Sequence, residues 1–270
     1  MFLLLFLAFL SLKSAAAAES NSRLVSLSPC VTEIIYALKA QERLAGVTTR
    51  CNYPPEASSK PKVGDFSNPN IEEIIRLKPG LLFAAGKGQS RGIKRIEKMG
   101  IKTYIYEPRN IKEIYNGIFE IANILSNKKG AEEVVKEINS SIDRVSLKRM
   151  NNPSPGSKRI FIEVSIKPLY TAGRNSFLNE MIELCGDINI SGRFSRDYLR
   201  VNPEWVYRER PDVIILTSGK KRSDFLKMYP YFDSRQILFI DSIDPDWLVR
   251  PGPRIGKGIE ELYKKLHEEK

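Results

Sequence analysis

The apolar positions of this chain fall into short blocks whose period switches between two and about three and a half, the signature of alternating strands and helices. Arg23 to Ser28 reads as a strand, and Val31, Ile34, Ile35 and Leu38 then recur at helical spacing, predicting a helix over Pro29 to Leu38. Ala45 to Thr49 is the next strand, ended by the turn-rich Asn52-Tyr53-Pro54-Pro55. A helix near Arg91 to Met99, a strand at Lys102 to Tyr106 and a helix from Ile111 to Leu125 complete a first βα series. Such a series predicts a mainly parallel sheet covered by helices. Ala131, Val134, Val135, Ile138, Ile142 and Val145 then repeat at three and four residues over about five turns, with no Gly or Pro between Ala131 and Met150. This predicts a stiff linking helix over residues 127–149. Asn151-Asn152-Pro153-Ser154-Pro155-Gly156 breaks it, a second βα series begins with the strand Arg159 to Val164, and a helix from about Ile255 to His267 ends the chain. The expected fold class is α/β, with two Rossmann-like lobes (19–126 and 150–270) built on mainly parallel central sheets and joined by one long rigid helix. With a single stiff linker, the lobes are expected to move little against each other.

One passage is stated twice. Asn70-Ile71-Glu72-Glu73-Ile74-Ile75-Arg76-Leu77-Lys78-Pro79 runs into Gly80 to Gly86, and Asn202-Pro203-Glu204-Trp205-Val206-Tyr207-Arg208-Glu209-Arg210-Pro211 runs into Asp212 to Gly219. In each copy an Asn caps a short helix, a Pro closes it, an aliphatic strand follows and a Gly ends the strand. Superposing the prolines places Glu72 on Glu204, both in a first helical turn. A matched acid on each of two similar lobes implies a partner that touches both, although a carboxylate there also stabilises its own helix by about 0.3 to 1 kcal/mol without any partner.

Composition refines this picture at three points. Phe2 to Leu12 is apolar apart from Ser11, too short to span a bilayer that requires roughly 20 residues, and Ala15 to Ala18 supplies small residues of the kind a signal peptidase accepts. Residues 1–18 therefore read as a secretory signal, although Lys13 follows the apolar run and the usual basic start is missing; a retained N-terminal anchor is the alternative. The first cysteine, Cys30, lies too far along for lipidation near that run, so the mature protein is expected to be soluble and periplasmic. The formal charge of +11 is spread among 32 acids without an aromatic-studded basic stripe, which points to a solvated surface and to no nucleic-acid partner. A single histidine, His267 in the polar C-terminal stretch, leaves little material for a zinc site or a His-dependent triad. No Gly-rich phosphate fingerprint follows a first strand and no acid-base cluster stands out, so a binder is expected, with an enzyme on the same two-lobe fold as the remote alternative, and neither a catalytic cofactor nor a resident metal is expected.

Ser28-Pro29-Cys30-Val31-Thr32-Glu33, Tyr53-Pro54-Pro55-Glu56-Ala57, Val63-Gly64-Asp65, the Asn70 to Leu82 unit, Tyr170-Thr171-Ala172-Gly173, Glu183-Leu184-Cys185-Gly186 and Asp246-Trp247 to Pro253-Arg254 resemble, in order and over nearly the whole mature chain, the helical-backbone solute-binding proteins of ABC importers. Within that family the likeness is greatest to the binders of vitamin B12 and related corrinoids; siderophore and haem binders share the fold. The resemblance implies a ligand in a shallow cleft lined by loops after the strands, and it places Tyr53, Phe66, Tyr198, Asp246, Trp247 and Arg250 on or near that cleft. Such a set suits a corrin, which is broad, largely apolar on its faces and edged with amides: aromatic rings cover area while Asp246 and Arg250 hydrogen-bond the rim. Core packing is the alternative for Trp247 and Tyr170, and a solvated surface role for Arg250.

The resemblance further implies that Glu72 and Glu204 dock the loaded, monomeric protein onto arginines of a permease dimer that works with ATPase subunits; Glu73 and Glu209 could substitute in part. Departures from the corrinoid pattern are Ala85, where the family can place a large aromatic, and Phe66 and Tyr198, where it can have Trp, so the cleft is expected to be roomier. The family cysteine matching Cys185 can pair with one in the last helix, but Glu261-Leu262-Tyr263 offers none. Cys30 and Cys51 both follow strands of the first lobe, which leaves either a local disulfide or two independent thiols.

Overall fold

The computed structural model describes residues 22–86, 90–153, 156–234 and 236–269. The expected signal at 1–18 lies outside the described residues. In the first lobe, strand β1 (Leu24–Ser26), helix α1 (Pro29–Ala37), β2 (Leu44–Val47), α2 (Ile71–Arg76), β3 (Leu81–Ala84), α3 (Ser90–Lys98) and β4 (Lys102–Ile105) follow one another. Its four strands form a sheet in the order β2-β1-β3-β4, every pairing parallel. Val25, Leu27, Val63, Ile74, Leu82, Ala84 and Ile96 are buried together beneath it.

Two long helices follow, α4 (Ile111–Leu125) and α5 (Lys128–Asn151), and α5 carries the predicted apolar stripe as an unbroken element of 24 residues, about 36 Å at 1.5 Å per residue. Two compact units result, one of residues up to Glu107 with Asn116–Val134, the other of Pro108–Tyr115 with Val135 onward. Their boundary runs through α4 and α5, whereas the expected segments 19–126 and 127–149 place it between them. The first turn of α4 is bonded into the second unit, through Ile111 N–H to Glu180 Oε2 at 2.7 Å and Tyr115 O–H to Asn139 Oδ1 at 2.7 Å.

The second unit continues with β5 (Arg159–Ile166), β6 (Leu169–Ala172), α6 (Phe177–Leu184), β7 (Ile188–Asn189), β8 (Tyr198–Arg200), α7 (Pro203–Arg208), β9 (Val213–Leu216), α8 (Arg222–Met228), β10 (Leu238–Ile240), α9 (Pro245–Val249) and α10 (Ile255–His267). Here β7, β5, β9 and β10 pair side by side, all parallel, which repeats the order β2-β1-β3-β4 of the first lobe. Strands β6 and β8 are an antiparallel addition on β5, so this sheet is mixed. The repeat extends to register: Leu24 lies opposite Leu81, and Ile160 opposite Val213. A core of Phe161, Val206, Ile214, Leu216, Phe225 and Phe232 fills this unit, with Phe225 and Phe232 edge to face at 5.3 Å.

The twice-stated passage folds twice in the same way. Asn70 Oδ1 accepts from Glu73 N–H and Asn202 Oδ1 from Glu204 N–H, capping α2 and α7. Both helices close on a left-handed residue before the proline, Lys78 at φ 48° and Arg210 at φ 51°. Non-glycine residues seldom adopt that conformation, so finding it at both equivalent positions is independent support for the duplication.

Candidate functional site

In the first unit two adjoining loops carry candidate residues. Tyr53 follows β2 in the Pro-rich turn and is 42% exposed. Phe66 is half-buried in a loop pinned by Asp65, whose Oδ1 accepts the Ser67 and Asn68 N–H groups at 2.8 and 2.6 Å. Gly64 opens that loop at φ 91°, where a Cβ would sit 2.6 Å from both Asn68 O and Asn70 N. Only glycine fits there. Thr49 N–H bonds the Gly64 carbonyl at 3.0 Å and ties the two loops together. Ala85, directly after β3, is half-buried.

In the second unit Tyr198 begins β8 opposite Ala172, and its ring is 43% exposed. The surrounding protein nevertheless pushes its phenol up to about 12, burial first and the Asp197 charge second. For contact with a ligand the exposed ring area is the relevant quantity. Asp244 caps α9 through Asp246 N–H at 3.0 Å, which sets Asp246 and Trp247 in the first turn and Arg250 just past the end. Arg250 and Asp246 form an ion pair at 2.7 Å, their side chains 11% and 29% exposed. The guanidinium is thereby held in place and not left on a solvated tether. Trp247 is half-buried, and the Lys257 ammonium lies 3.7 Å from its ring centroid. That cation-π contact from α10 was not foreseen, because Lys257 reads in sequence as one more surface lysine of an amphipathic helix.

Helix α10 comes close enough to support α9 because Gly258 has no side chain: a Cβ there would meet the Trp247 carbonyl oxygen at 2.2 Å. Gly258→Ala is expected to destabilise the protein by about 1–3 kcal/mol, as overpacking does. Urea unfolding checks this, and an unchanged midpoint would show that α9 and α10 are not packed so closely.

The two matched acids stand on the surfaces of their units. Glu72 is exposed and has no ion-pair partner among the described residues, whereas its neighbour Glu73 is held by Arg76 at 2.6 Å. Glu204 is 68% exposed, with Arg208 at 3.7 Å in a loose pair. Glu209 is clamped by Arg159 at 3.1 Å and Arg193 at 2.7 Å. Thus Glu73 and Glu209, the alternatives to the matched pair, are already engaged within the protein.

Of the two states left open for Cys30 and Cys51, the structure has the separate thiols. Cys30, Cys51 and Cys185 are all buried free thiols, so Cys30 and Cys51 are independent and not bridged. Each instead joins a buried hydroxyl network, Cys30 Sγ at 2.9 Å from Ser28 Oγ and Cys51 Sγ accepting from Thr32 Oγ1 at 3.2 Å. Burial pushes the Cys30 thiol up to about 11, which makes it a poor nucleophile. Cys185 packs on α10, its thiol directed at the Ile259 carbonyl. His267 is likewise structural: Nε2 lies 2.9 Å from Asp187 Oδ2, with side chains 7% and 0% exposed, and its ring stacks on Tyr263.

Among the described residues no group of three or more His, Cys, Asp and Glu side chains could hold a metal, and no helix is long and apolar enough to cross a membrane. Two surface cavities of the second unit, about 470 Å³ beside Arg149 and Tyr263 and about 530 Å³ beside Arg174 and Arg193, include none of the candidate ligand residues in their walls.

Residues 24–234 match the model of the periplasmic binding protein family. An uncharacterized ABC transporter substrate-binding lipoprotein of Bacillus subtilis, YvrC, is 31% identical over 256 residues, 92% of this chain and 81% of the relative. A vitamin B12-binding protein of Photorhabdus laumondii is 26% identical over 263 residues, 97% of this chain and 94% of the relative. Among solved structures, a possible iron-binding (periplasmic solute-binding) protein of Staphylococcus epidermidis superposes with a TM-score of 0.78 at 30% identity, covering 92% of this chain and 99% of the other. The chain belongs to the periplasmic binding protein family, among the substrate-binding proteins of ABC transporters. That is a family of solute-binding proteins, and the two-lobed α/β architecture with its long helix is the one its solved members share.

Proposed function

We propose that this protein captures a corrinoid, cobalamin or cobinamide, in the extracytoplasmic space and delivers it to an ABC permease driven by ATPase subunits. The observation that carries the reading is the similarity to a vitamin B12-binding protein along 97% of the chain. Their state fits the role. Tyr53 and Tyr198 offer exposed rings for the apolar faces of a macrocycle, and the Asp246–Arg250 pair offers fixed polar groups for its amide rim. Glu72 and Glu204 serve the permease and not the ligand in this reading.

A second reading, a ferric-siderophore or haem carrier, is favoured by the similarity to the Staphylococcus epidermidis protein and by the small Ala85 next to β3. The two readings separate in a visible-light experiment. The one histidine of the sequence, His267, has its Nε2 2.9 Å from Asp187 Oδ2, so a histidine ligand on cobalt is not expected. Aquocobalamin mixed with the purified protein is therefore expected to be retained stoichiometrically on ultrafiltration with its absorption bands nearly unmoved. A spectrum showing a new histidine ligand on cobalt, or passage of the corrinoid through the filter, contradicts the proposal.

A further inference from the structure

Superposing the duplicated units residue by residue exposes one position where the lobes differ in kind. Strand β1 pairs Ser26 with Phe83, and β5 pairs Ile162 with Ile215, so Leu27 in the first lobe corresponds to Glu163 in the second. Both side chains are fully buried. A carboxyl thus occupies a place for which the same fold is content with leucine. It also interrupts the apolar strand Ile160-Phe161-Ile162-Glu163-Val164, the signal by which sequence could have revealed it.

Glu163 is bound on one side only. Its Oε2 accepts from Ser218 Oγ at 3.0 Å and from Ser218 N–H at 3.4 Å, while Oε1 is buried with no hydrogen-bond partner among the described residues. The Glu163 main-chain carbonyl accepts from Thr217 Oγ1 at 2.7 Å and Thr217 N–H at 3.1 Å. One residue therefore holds the segment Thr217-Ser218-Gly219 through four bonds, just beyond the carboxyl end of β9. That segment is the counterpart of Ala85-Gly86 after β3, and the loops at the carboxyl ends of strands are where open α/β sheets bind ligands.

We propose that Glu163 is a positioning residue for capture, its side chain fixing the 217–219 segment at the ligand-facing end of the second lobe. The inference rests on the solute-binding reading but not on which solute is bound. Burial raises the Glu163 carboxyl above the ordinary range, against the opposing bonds from Ser218 and Thr217, and no cation lies within ion-pair distance among the described residues. The neighbouring titratable group is the Tyr229 phenol beyond α8, itself raised first by burial and then by the Glu163 charge, with its O–H given to the Ile166 carbonyl. A group with a raised acid pKa binds more protons folded than unfolded. Its contribution to stability is accordingly fullest below the unfolded carboxyl value of about 4.3 and is lost as pH rises through the folded value.

Two substitutions test this. Glu163→Gln keeps an acceptor for Ser218 without a charge; Glu163→Leu installs the residue of the other lobe, and the exposed Ser218 then turns to water. Three readouts are taken: ligand affinity by calorimetry, thermal midpoint from pH 4 to 8, and amide exchange at residues 217–219. Glu163→Gln is expected to bind within about twofold of wild type and to gain in midpoint over wild type as pH rises. Glu163→Leu is expected to be more stable than wild type, yet to exchange the Ser218 and Gly219 amides faster and bind about tenfold more weakly. Unaltered exchange or full affinity in Glu163→Leu overturns the proposal, as does a loss of affinity and stability together. If wild type binds no corrinoid, the ligand assignment fails, and the exchange arm still decides whether Glu163 holds the segment.

Discussion

A protein carrying Glu72→Lys and Glu204→Lys together is expected to bind its ligand with wild-type affinity and to leave the transporter unstimulated. The reasoning begins with exposure. Glu72 has no ion-pair partner among the described residues, and Glu204 is 68% exposed with only a loose contact to Arg208. Neither acid therefore does much for the fold: an exposed i,i+4 pair is worth about 0.3–0.5 kcal/mol. Yet each sits in the first turn of a duplicated helix, set there by an Asn cap and a left-handed residue before proline that recur in both lobes. Reversal of each charge at an interface with arginines replaces an attraction with a like-charge contact costing several kcal/mol. The single variants are expected to lose part of the stimulation and the double variant nearly all of it. Uptake assays and ATPase measurements with the reconstituted transporter check this. Wild-type stimulation by the double variant would reduce the two acids to helix-stabilising residues.

The second large effect is expected from truncating the exposed rings. Tyr53→Ala and Tyr198→Ala each remove an aromatic group that can bury roughly 150–250 Å² against a ligand, and well-packed aromatic contacts of this kind commonly cost about 2 kcal/mol or more when removed, near thirtyfold in affinity. Both rings stand out from the core, at 42% and 43% exposure, so the fold is expected to survive with its thermal midpoint nearly unchanged. Because the residues lie on separate lobes, their effects distinguish a ligand held by both from one held by a single lobe. Full affinity in both variants would place the site elsewhere. A loss confined to Tyr53→Ala would assign binding to the loops after β2.

Much of this architecture was legible in the period of the apolar residues. The stripe from Ala131 to Val145 became α5, and the strand beginning at Arg159 became β5, because a long run of consistent periodicity leaves little room for an alternative. The duplicated passage was legible as well, down to its caps. Other features depend on partners distant in sequence. The first turn of α4 belongs with the second unit through a bond to Glu180, 69 residues away, which no local pattern records. Strands β6 and β8 are four and three residues long and rest on antiparallel pairing, too short for an alternation to stand out. The spacing of Cys30 and Cys51 allowed a bridge, but only the buried hydroxyls of Ser28, Thr32 and Thr48 show what each thiol bonds instead. Glu163 illustrates a different limit. A single acid in an apolar strand is visible in sequence, but its burial and its hold on Ser218 are not.

Assignment of the cargo is tested most directly by calorimetric titration of the purified protein with cobalamin, cobinamide, haem and ferric siderophores under one set of conditions. Saturable binding of cobalamin or cobinamide at one equivalent, tighter than that of haem or any ferric chelate, is the predicted result. No heat with either corrinoid, together with saturable binding of haem or a ferric siderophore, would contradict the corrinoid assignment and make this chain an iron or haem carrier of the same family.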